Sequence, residues 1–168
     1  MRAYCRGMSS PASDAPQRVL SCLVLGYDRT ETGRLAATWA ARQLQPEGTL
    51  VIVHSSRSLH VPASPLASTG ERHEIGRALI DELLLEGPDS LFDIDIDIVL
   101  SDEDPVSALI DAAHEHHAQA IVIGHEQHAS IHRAIGTVTN ELLDRSPVPV
   151  IAVPLTSAPV TSGPGGVS

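Results

Sequence analysis

The chain alternates between short apolar runs and longer segments whose apolar residues recur every three or four positions. Short runs are typical of β-strands, and the longer spacing is the period of an amphipathic helix. Residues 18–26 and 49–54 are nearly continuous apolar runs, and we predict that both are central strands buried on both faces. The periodic segment between them predicts a helix over residues 31–45.

A second helix is predicted over residues 71–86, after a loop at 55–70. It ends at Gly87 and Pro88, residue types that commonly follow the C-terminus of a helix. The spacing along both helices predicts which side chains face the sheet. These are Leu35, Ala36, Trp39, Ala40 and Leu44 in the first helix and Ile75, Ala78, Leu79 and Leu83 in the second.

The third strand, over residues 92–100, alternates strictly between apolar and acidic positions. Asp93, Asp95 and Asp97 fall on one face, and isoleucines occupy the other. Because a strand buried on both faces does not accommodate three carboxylates, we predict an edge strand, whose charges also oppose aggregation. A carboxylate cation site is the alternative, and a solvated acidic face is the interpretation that we favour.

The remaining residues continue the alternation. Asp104 and Pro105 predict the N-cap and first turn of a third helix. A strand over 120–123, a helix over 137–144 and a last strand from Val148 to Val153 follow. With right-handed crossovers, this order predicts an α/β fold with a five-stranded parallel doubly wound sheet and helices on both faces.

Both ends of the chain lack this periodicity. Residues 1–17 and 155–168 are rich in serine, proline, alanine and glycine, and this composition predicts disordered tails. We therefore expect one α/β domain over residues 18–154.

Composition and charge exclude several classes of function. The formal net charge of −10 opposes binding to nucleic acid and to anionic membranes. No apolar run is long enough to span a bilayer, and residues 1–17 lack the apolar stretch of a secretory signal, so we expect a cytoplasmic protein. All 11 basic residues are arginine. Without lysine, P-loop ATPases, Schiff-base enzymes and phospho-acceptor receiver domains are excluded.

Four segments, in order along the chain, resemble the universal stress protein family. They read VLGYDRTETGRLAATWAARQL, LVIVHSS, DPVSALIDAAHEHHAQAIVIG and GTVTNELLDRSPVPVIAVP. The resemblance covers roughly residues 18–154. It implies the strand order 3-2-1-4-5, which agrees with the edge position predicted for the acidic strand. It also implies a homodimer formed through the last strand, from Val148 to Val153.

The resemblance further implies a nucleotide site where the strand order reverses, beyond the carboxyl ends of strands 1 and 4. ATP-binding members of the family carry G-x2-G-x9-G-[ST] after strand 4. In this chain Gly124 matches the first glycine and Gln127 replaces the second, and eight residues rather than nine precede Gly136 and Thr137. By this matching, Thr137 and Thr139 place hydroxyl groups near the phosphates.

The same matching places Asp28 near the ribose or base and the backbone of Val53 or His54 near the adenine. The candidate nucleotide-binding residues are Tyr27, Asp28, Val53, Gly124, Gln127, His128, Gly136, Thr137, Val138 and Thr139. No catalytic or metal-binding residue is assigned.

Structural roles are the alternatives for several of these residues. Gly124 and Gly136 also suit tight turns between strands and helices. Asp28 also suits the N-cap of the first helix, for which Thr30 is an equally good candidate.

Histidines form a separate feature of the predicted phosphate loop. His125, His128 and His132 lie in or beside it, and imidazoles titrate close to physiological pH. Phosphate binding would therefore strengthen as the pH falls. A metal bound by His128 and His132 is the less favoured alternative.

Together these observations predict a dimeric stress-response module that senses ATP or another adenine nucleotide, with or without Mg²⁺. The alternative is a nucleotide-free branch of the same family, an interaction dimer with a degenerate phosphate loop, which Gln127 and the shortened spacing favour. An enzyme is not expected beyond weak ATP hydrolysis, because Asp28 is the one acid that the matching places in the cleft.

Overall fold

In the computed structural model, the described residues are 20–57, 68–87, 89–125 and 137–155. They form a five-stranded parallel sheet in the order β3-β2-β1-β4-β5 with helices on both faces. The predicted fold class and strand order are therefore confirmed. The elements are β1 (Leu20–Gly26), α1 (Glu31–Gln43), β2 (Leu44–Ser55), α2 (Thr69–Glu86), β3 (Asp95–Ser101), α3 (Pro105–Glu115), β4 (Ile121–His125), α4 (Thr137–Arg145) and β5 (Val150–Pro154), with a short 3-10 helix at Asp89–Leu91.

Alternate residues of the central strands face two separate apolar layers. Leu23 and Leu25 point into the layer under α1 and α2, whereas Val24 points into the layer under α3 and α4. All three side chains are fully buried. This two-sided burial explains why β1 reads as a continuous apolar run.

The inward face of α1 differs from the predicted one. Leu35 is 38% exposed, and the buried stripe is built from Ala36, Ala37, Ala40 and Ala41. Small side chains let the helix lie close to the sheet, and Leu35 falls beside this stripe rather than on it. Leu44 is buried as predicted, but as the first residue of β2, because the helix ends two residues earlier than expected.

The inward face of α2 is also rotated relative to the prediction. Ile75 and Ala78 are exposed, whereas Leu79 and Leu83 are buried as expected. At Gly76 the helix lies close to the sheet, because a Cβ there would lie 2.6 Å from the ring of His54. A glycine has no apolar side chain and so does not contribute to the helical pattern, and the prediction therefore placed Ile75 and Ala78 inward in error.

The acidic strand lies at the edge of the sheet, as predicted. Asp95 and Asp97 are exposed, and Ile96 and Ile98 pack against the layer under α2. Asp93 precedes the strand. Among the described residues no cluster of three histidine, cysteine or acidic side chains could hold a metal ion, so no described geometry supports the cation-site alternative.

Two segment boundaries bear on later predictions. Asp104 caps α3 by accepting hydrogen bonds from the backbone of Val106 and Ser107, with Pro105 in the first turn as predicted. β5 begins at Val150, because Val148 instead donates its N–H to the Ser146 hydroxyl.

Some predictions fall on residues that the structure does not describe. The tails at 1–17 and 155–168 lie outside the described residues apart from Leu155, which is exposed. Their predicted disorder and the domain limits of 18–154 therefore stay predictions. No described helix combines the length and the apolar character needed to cross a bilayer.

Two leucines of α2 test the observed orientation of this helix. Leu83 is 1% exposed and Leu85 is 83% exposed. Leu83→Ala should lower the free energy of unfolding in urea by about 2–4 kcal/mol, because it opens a cavity in the core. Leu85→Ala, its matched control, should change that free energy by no more than about 0.5 kcal/mol. Equal losses in the two variants would contradict the orientation.

Candidate functional site at the carboxyl edge of the sheet

The end of β4 lies directly against the first turn of α1. A Cβ built on Gly124 would lie 2.5 Å from the carbonyl carbon of Thr32 and 2.6 Å from the backbone nitrogen of Gly33. These atoms are backbone and cannot move aside independently, so a side chain at residue 124 is not accommodated. Gly124 therefore has a packing role, while its role in binding phosphate stays a prediction.

The loop between β1 and α1 is organised around Asp28 and Thr30. Oδ1 of Asp28 accepts hydrogen bonds from the backbone nitrogen of Thr30 at 3.1 Å and from its hydroxyl at 2.6 Å. Thr30 Oγ1 in turn accepts from Gly33 N at 3.0 Å and is the N-cap of α1. The hypothesis that Asp28 itself caps this helix is therefore wrong.

A neighbouring hydroxyl completes this network. Thr32 Oγ1 lies 3.0 Å from Thr30 Oγ1. Because the Thr30 proton is directed to Asp28, Thr32 is the donor in this pair. Thr32 was not among the predicted site residues, although the sequence Asp-x-Thr-x-Thr-Gly places several side-chain oxygens together after an apolar strand.

Arg29, between Asp28 and Thr30, has a left-handed backbone with φ of 65°. For a residue other than glycine this conformation is uncommon and persists where its surroundings hold it. Arg29 forms an ion pair of 3.1 Å with Glu82 of α2, and Arg34 of α1 contacts the same carboxylate at 2.7 Å. This pairing ties the loop and α1 to α2. The sequence does not indicate the left-handed conformation of Arg29, because arginine does not favour this conformation.

Tyr27, the residue that follows β1, is a predicted site residue whose side chain is buried. The residue is 3% exposed, and its phenol oxygen has no hydrogen-bond partner among the described residues. Burial raises the pKa of the Tyr27 phenol above its ordinary value. The side chain is therefore neutral at physiological pH and packs in the layer under α1 and α2.

At the carboxyl end of β2, two residues engage the backbone of Tyr27. The carbonyl of Val53 accepts a hydrogen bond from Tyr27 N at 3.0 Å, so part of the backbone predicted to lie near adenine is engaged in a sheet hydrogen bond. The His54 side chain is 2% exposed, and its Nδ1 lies 3.0 Å from the Tyr27 carbonyl oxygen. Only the backbone of His54 was predicted to take part in the site, so the contact of its imidazole is an addition to the prediction.

A second polar cluster joins the end of β3 to the start of α2. Asp102 accepts hydrogen bonds from the Ser56 hydroxyl at 2.7 Å and from Arg72 Nε at 3.3 Å. The hydrogen bond from Ser56, together with that from Arg72, holds the pKa of Asp102 below its ordinary value. This cluster anchors α2 near the carboxyl edge of the sheet.

The first turn of α4 carries the remaining described candidates. Thr137 and Val138 are exposed, whereas Thr139 is only 7% exposed. α1 and α4 belong to opposite faces of the sheet, and in the chain the N-terminus of α1 follows β1 and that of α4 follows β4. Both helix ends carry partial positive charge. Of the two threonines whose hydroxyl groups are predicted to contact phosphate, Thr137 is the accessible one.

The structure thus brings four predicted site residues to the carboxyl edge of the sheet, namely Tyr27, Asp28, Val53 and Gly124. Gly26 pairs with Val53 on one side and with Ile123 on the other. Tyr27 and Asp28 come directly after Gly26 in the chain, and Gly124 comes directly after Ile123. The predicted contacts at Gln127, His128 and Gly136 lie outside the described residues. No described contact tests ligand binding at any of the ten positions.

Comparison with known proteins identifies the fold independently. A sequence model of the universal stress protein family matches residues 23–154. The universal stress protein UspA from Lactobacillus plantarum is 22% identical, with a TM-score of 0.56, and the match covers 80% of this chain and 97% of that chain. Comparison with curated protein sequences finds no match.

Two further structures that resemble this fold contain adenine nucleotides. A universal stress protein in complex with cAMP is 21% identical, with a TM-score of 0.51 and coverage of 80% of this chain and 97% of that chain. A universal stress protein family protein from Arabidopsis thaliana with AMP bound is 12% identical, with a TM-score of 0.55 and coverage of 84% and 97%. At these identities the structures show a shared fold and no more.

Two glycines test the close approach of β4 to α1. Gly124→Ala should lower the free energy of unfolding by about 1–3 kcal/mol, because the new Cβ overlaps the backbone of α1. The control is Gly70→Ala in the first turn of α2, where a Cβ has only Ser68 Oγ nearby, at 4.0 Å. This control should be neutral or stabilising by up to about 1 kcal/mol. Similar urea midpoints for Gly124→Ala and wild type would contradict the packing role of Gly124.

Proposed function

The chain belongs to the universal stress protein family, and from that premise we propose that it binds an adenine nucleotide at the carboxyl ends of β1 and β4. The observation that carries this proposal is the meeting of the Asp28 loop, the first turn of α1 and Gly124 where the strand order reverses. In open α/β sheets, this crevice is the usual place for a ligand. The AMP and cAMP bound to two structures of the same fold support the choice of an adenine nucleotide.

We assign the ribose or base side of the nucleotide to Asp28. Two hydrogen bonds from Thr30 fix the orientation of its carboxylate before any ligand arrives. A carboxylate accepts hydrogen bonds, and the hydroxyl groups of a ribose donate them. Because the carboxylate is already oriented, little conformational entropy is lost when the ligand binds.

We assign the phosphate side to the N-termini of α1 and α4, with the Thr137 hydroxyl and the loop residues Gln127, His128 and Gly136. The net charge of −10 opposes an anionic ligand at long range. Local partial positive charge at the helix ends offsets this repulsion. Val138 and Thr139 complete the first turn of α4. ATP, AMP and a cyclic nucleotide all fit this assignment, and Mg²⁺ would accompany ATP.

We propose that this site binds its nucleotide without rapid turnover. Oδ1 of Asp28 is engaged by Thr30, and the Tyr27 phenol is buried and neutral. Neither group is therefore placed to act as an efficient general base. A stress-response role in the cytoplasm is part of this proposal and rests on the family resemblance and on composition.

We further propose that the chain forms a homodimer through β5. This strand is an edge of the sheet, and the side chains of Val150, Ile151 and Val153 are only partly buried. An unpaired edge with apolar side chains is a surface on which two copies can join. The predicted segment from Val148 to Val153 overlaps β5 over four residues.

A second candidate function is a nucleotide-free interaction dimer. Gln127 in place of a glycine and the one-residue shortening before Gly136 favour it, because both depart from the glycine-rich sequence of the ATP-binding members. The two functions differ in one property, which is whether the purified dimer binds a nucleotide.

Calorimetric titration with AMP, cAMP and ATP, with and without Mg²⁺, tests the nucleotide proposal. We expect saturable binding to the wild type, and Asp28→Asn should weaken it about tenfold, because a charged acceptor is lost while an oxygen remains to accept from Thr30. The control Glu115→Gln removes an equal charge at the exposed C-terminus of α3, outside the proposed site, and should change the Kd by less than about twofold.

Two outcomes would count against this proposal. No heat with the wild type at millimolar nucleotide would contradict nucleotide binding and support the interaction dimer. Equal weakening by Asp28→Asn and Glu115→Gln would leave nucleotide binding in place and contradict the assigned contact with Asp28.

Light scattering after size exclusion tests the dimer. Ala152 is exposed on β5, and Ala152→Glu would place like charges at the proposed interface, so we expect a shift towards monomer at micromolar concentration. The control is Gln45→Glu, an exposed position at the start of β2, which should remain dimeric. A monomeric wild type would contradict the proposal.

A further inference from the structure

We propose that His54 is the positioning residue of the ligand site. Its imidazole holds the carbonyl group of Tyr27 and thereby fixes the loop that carries Asp28. This inference rests on the proposed function for its effect on ligand affinity, but its effect on the loop is independent of any ligand.

The hydrogen bonds between β1 and β2 show why a side chain is needed at this point. Beyond the paired strands, Tyr27 N donates to Val53 O at 3.0 Å. In a continuing parallel ladder, the Tyr27 carbonyl would next accept from the backbone nitrogen of Ser55. Here His54 Nδ1 lies 3.0 Å from that carbonyl. The imidazole thus continues the ladder where the backbone of β1 turns away from β2.

The protonation state of Nδ1 follows from its partner. A backbone carbonyl only accepts hydrogen bonds, so the proton of this bond resides on Nδ1 of His54. The side chain is 2% exposed, and water does not compete for the bond. Removal of the donor would leave a buried carbonyl unpaired, which costs more than the net value of the hydrogen bond.

The imidazole is also held from the side of α2. A Cβ on Gly76 would lie 2.6 Å from Cδ2 of His54 and 3.2 Å from Cδ2 of Leu100. The ring therefore occupies the space that any side chain at residue 76 would need. Gly76 and the Tyr27 carbonyl together fix the rotamer of His54.

The position of Asp28 depends directly on this arrangement. Tyr27 immediately precedes Asp28 and is held at its nitrogen by Val53 and at its carbonyl by His54. The peptide group that joins Tyr27 to Asp28 consequently has a fixed orientation. From it the Asp28 carboxylate reaches the backbone nitrogen of Thr30 at 3.1 Å.

Two substitutions distinguish the effect of the hydrogen-bond donor of His54 from the effect of its side-chain volume. His54→Asn retains an N–H donor near the position of Nδ1, and His54→Leu fills the space without a donor. We expect His54→Leu to weaken AMP binding about tenfold, and His54→Asn to remain within about threefold of the wild type. Equal loss in both variants would show that ring packing rather than the donor matters, and would overturn the proposal.

A glycine pair on α2 provides a second test. Gly76→Ala displaces the His54 ring, whereas Gly87→Ala clashes with Leu83 O and Leu91 at the other end of the helix. Both variants should lower the melting temperature, but only Gly76→Ala should weaken AMP binding. Weakening in proportion to the loss of stability in both variants would contradict a positioning role.

Hydrogen exchange distinguishes this proposal from the proposed function. The amide of Thr30, which is bound to Asp28, should exchange at least about tenfold faster in His54→Leu than in the wild type or in His54→Asn. This result would support the positioning role even if the wild type bound no nucleotide, in which case only the proposed function would fail. An unchanged exchange rate in His54→Leu would overturn the positioning role.

Discussion

The backbone contact between the end of β4 and the first turn of α1 is the constraint on which the rest of the site depends. Gly124 makes this contact possible, because no side chain fits between its backbone and that of Thr32 and Gly33. With α1 held there, the Thr30 cap and the Asp28 carboxylate lie at the point where β1 and β4 diverge. The carboxyl edge of the sheet, where the strand order reverses, thus carries an oriented carboxylate and a helix N-terminus.

Much of the fold could be predicted from the sequence, because each element has a clear local signal. The continuous apolar run of β1 and the alternating aspartates of β3 correctly indicated a central and an edge strand. Asp104 and Pro105 marked the start of α3. Helix faces were less predictable, since both α1 and α2 approach the sheet through small residues. Gly76 and the alanine stripe of α1 carry little hydrophobic signal, although they are buried against the sheet.

The site was predictable in its location but not in its internal contacts. Topology placed Asp28 and Gly124 at one edge, because the carboxyl ends of parallel strands lie together. The imidazole of His54, the left-handed Arg29 and the choice of Thr30 over Asp28 as N-cap depend on side-chain orientation in three dimensions. No spacing rule along the chain determines these contacts, because each joins residues through a specific rotamer or an uncommon backbone conformation.

The most direct test of a ligand site at this edge is a map of backbone amide shifts in ¹⁵N-labelled protein during titration with AMP. The proposed function predicts that the largest shifts occur at Asp28, Gly124 and Thr137, around the ends of β1 and β4. Shifts centred instead on Cys22 and Asp95, towards the amino ends of the strands, or no shifts at millimolar AMP, would contradict it.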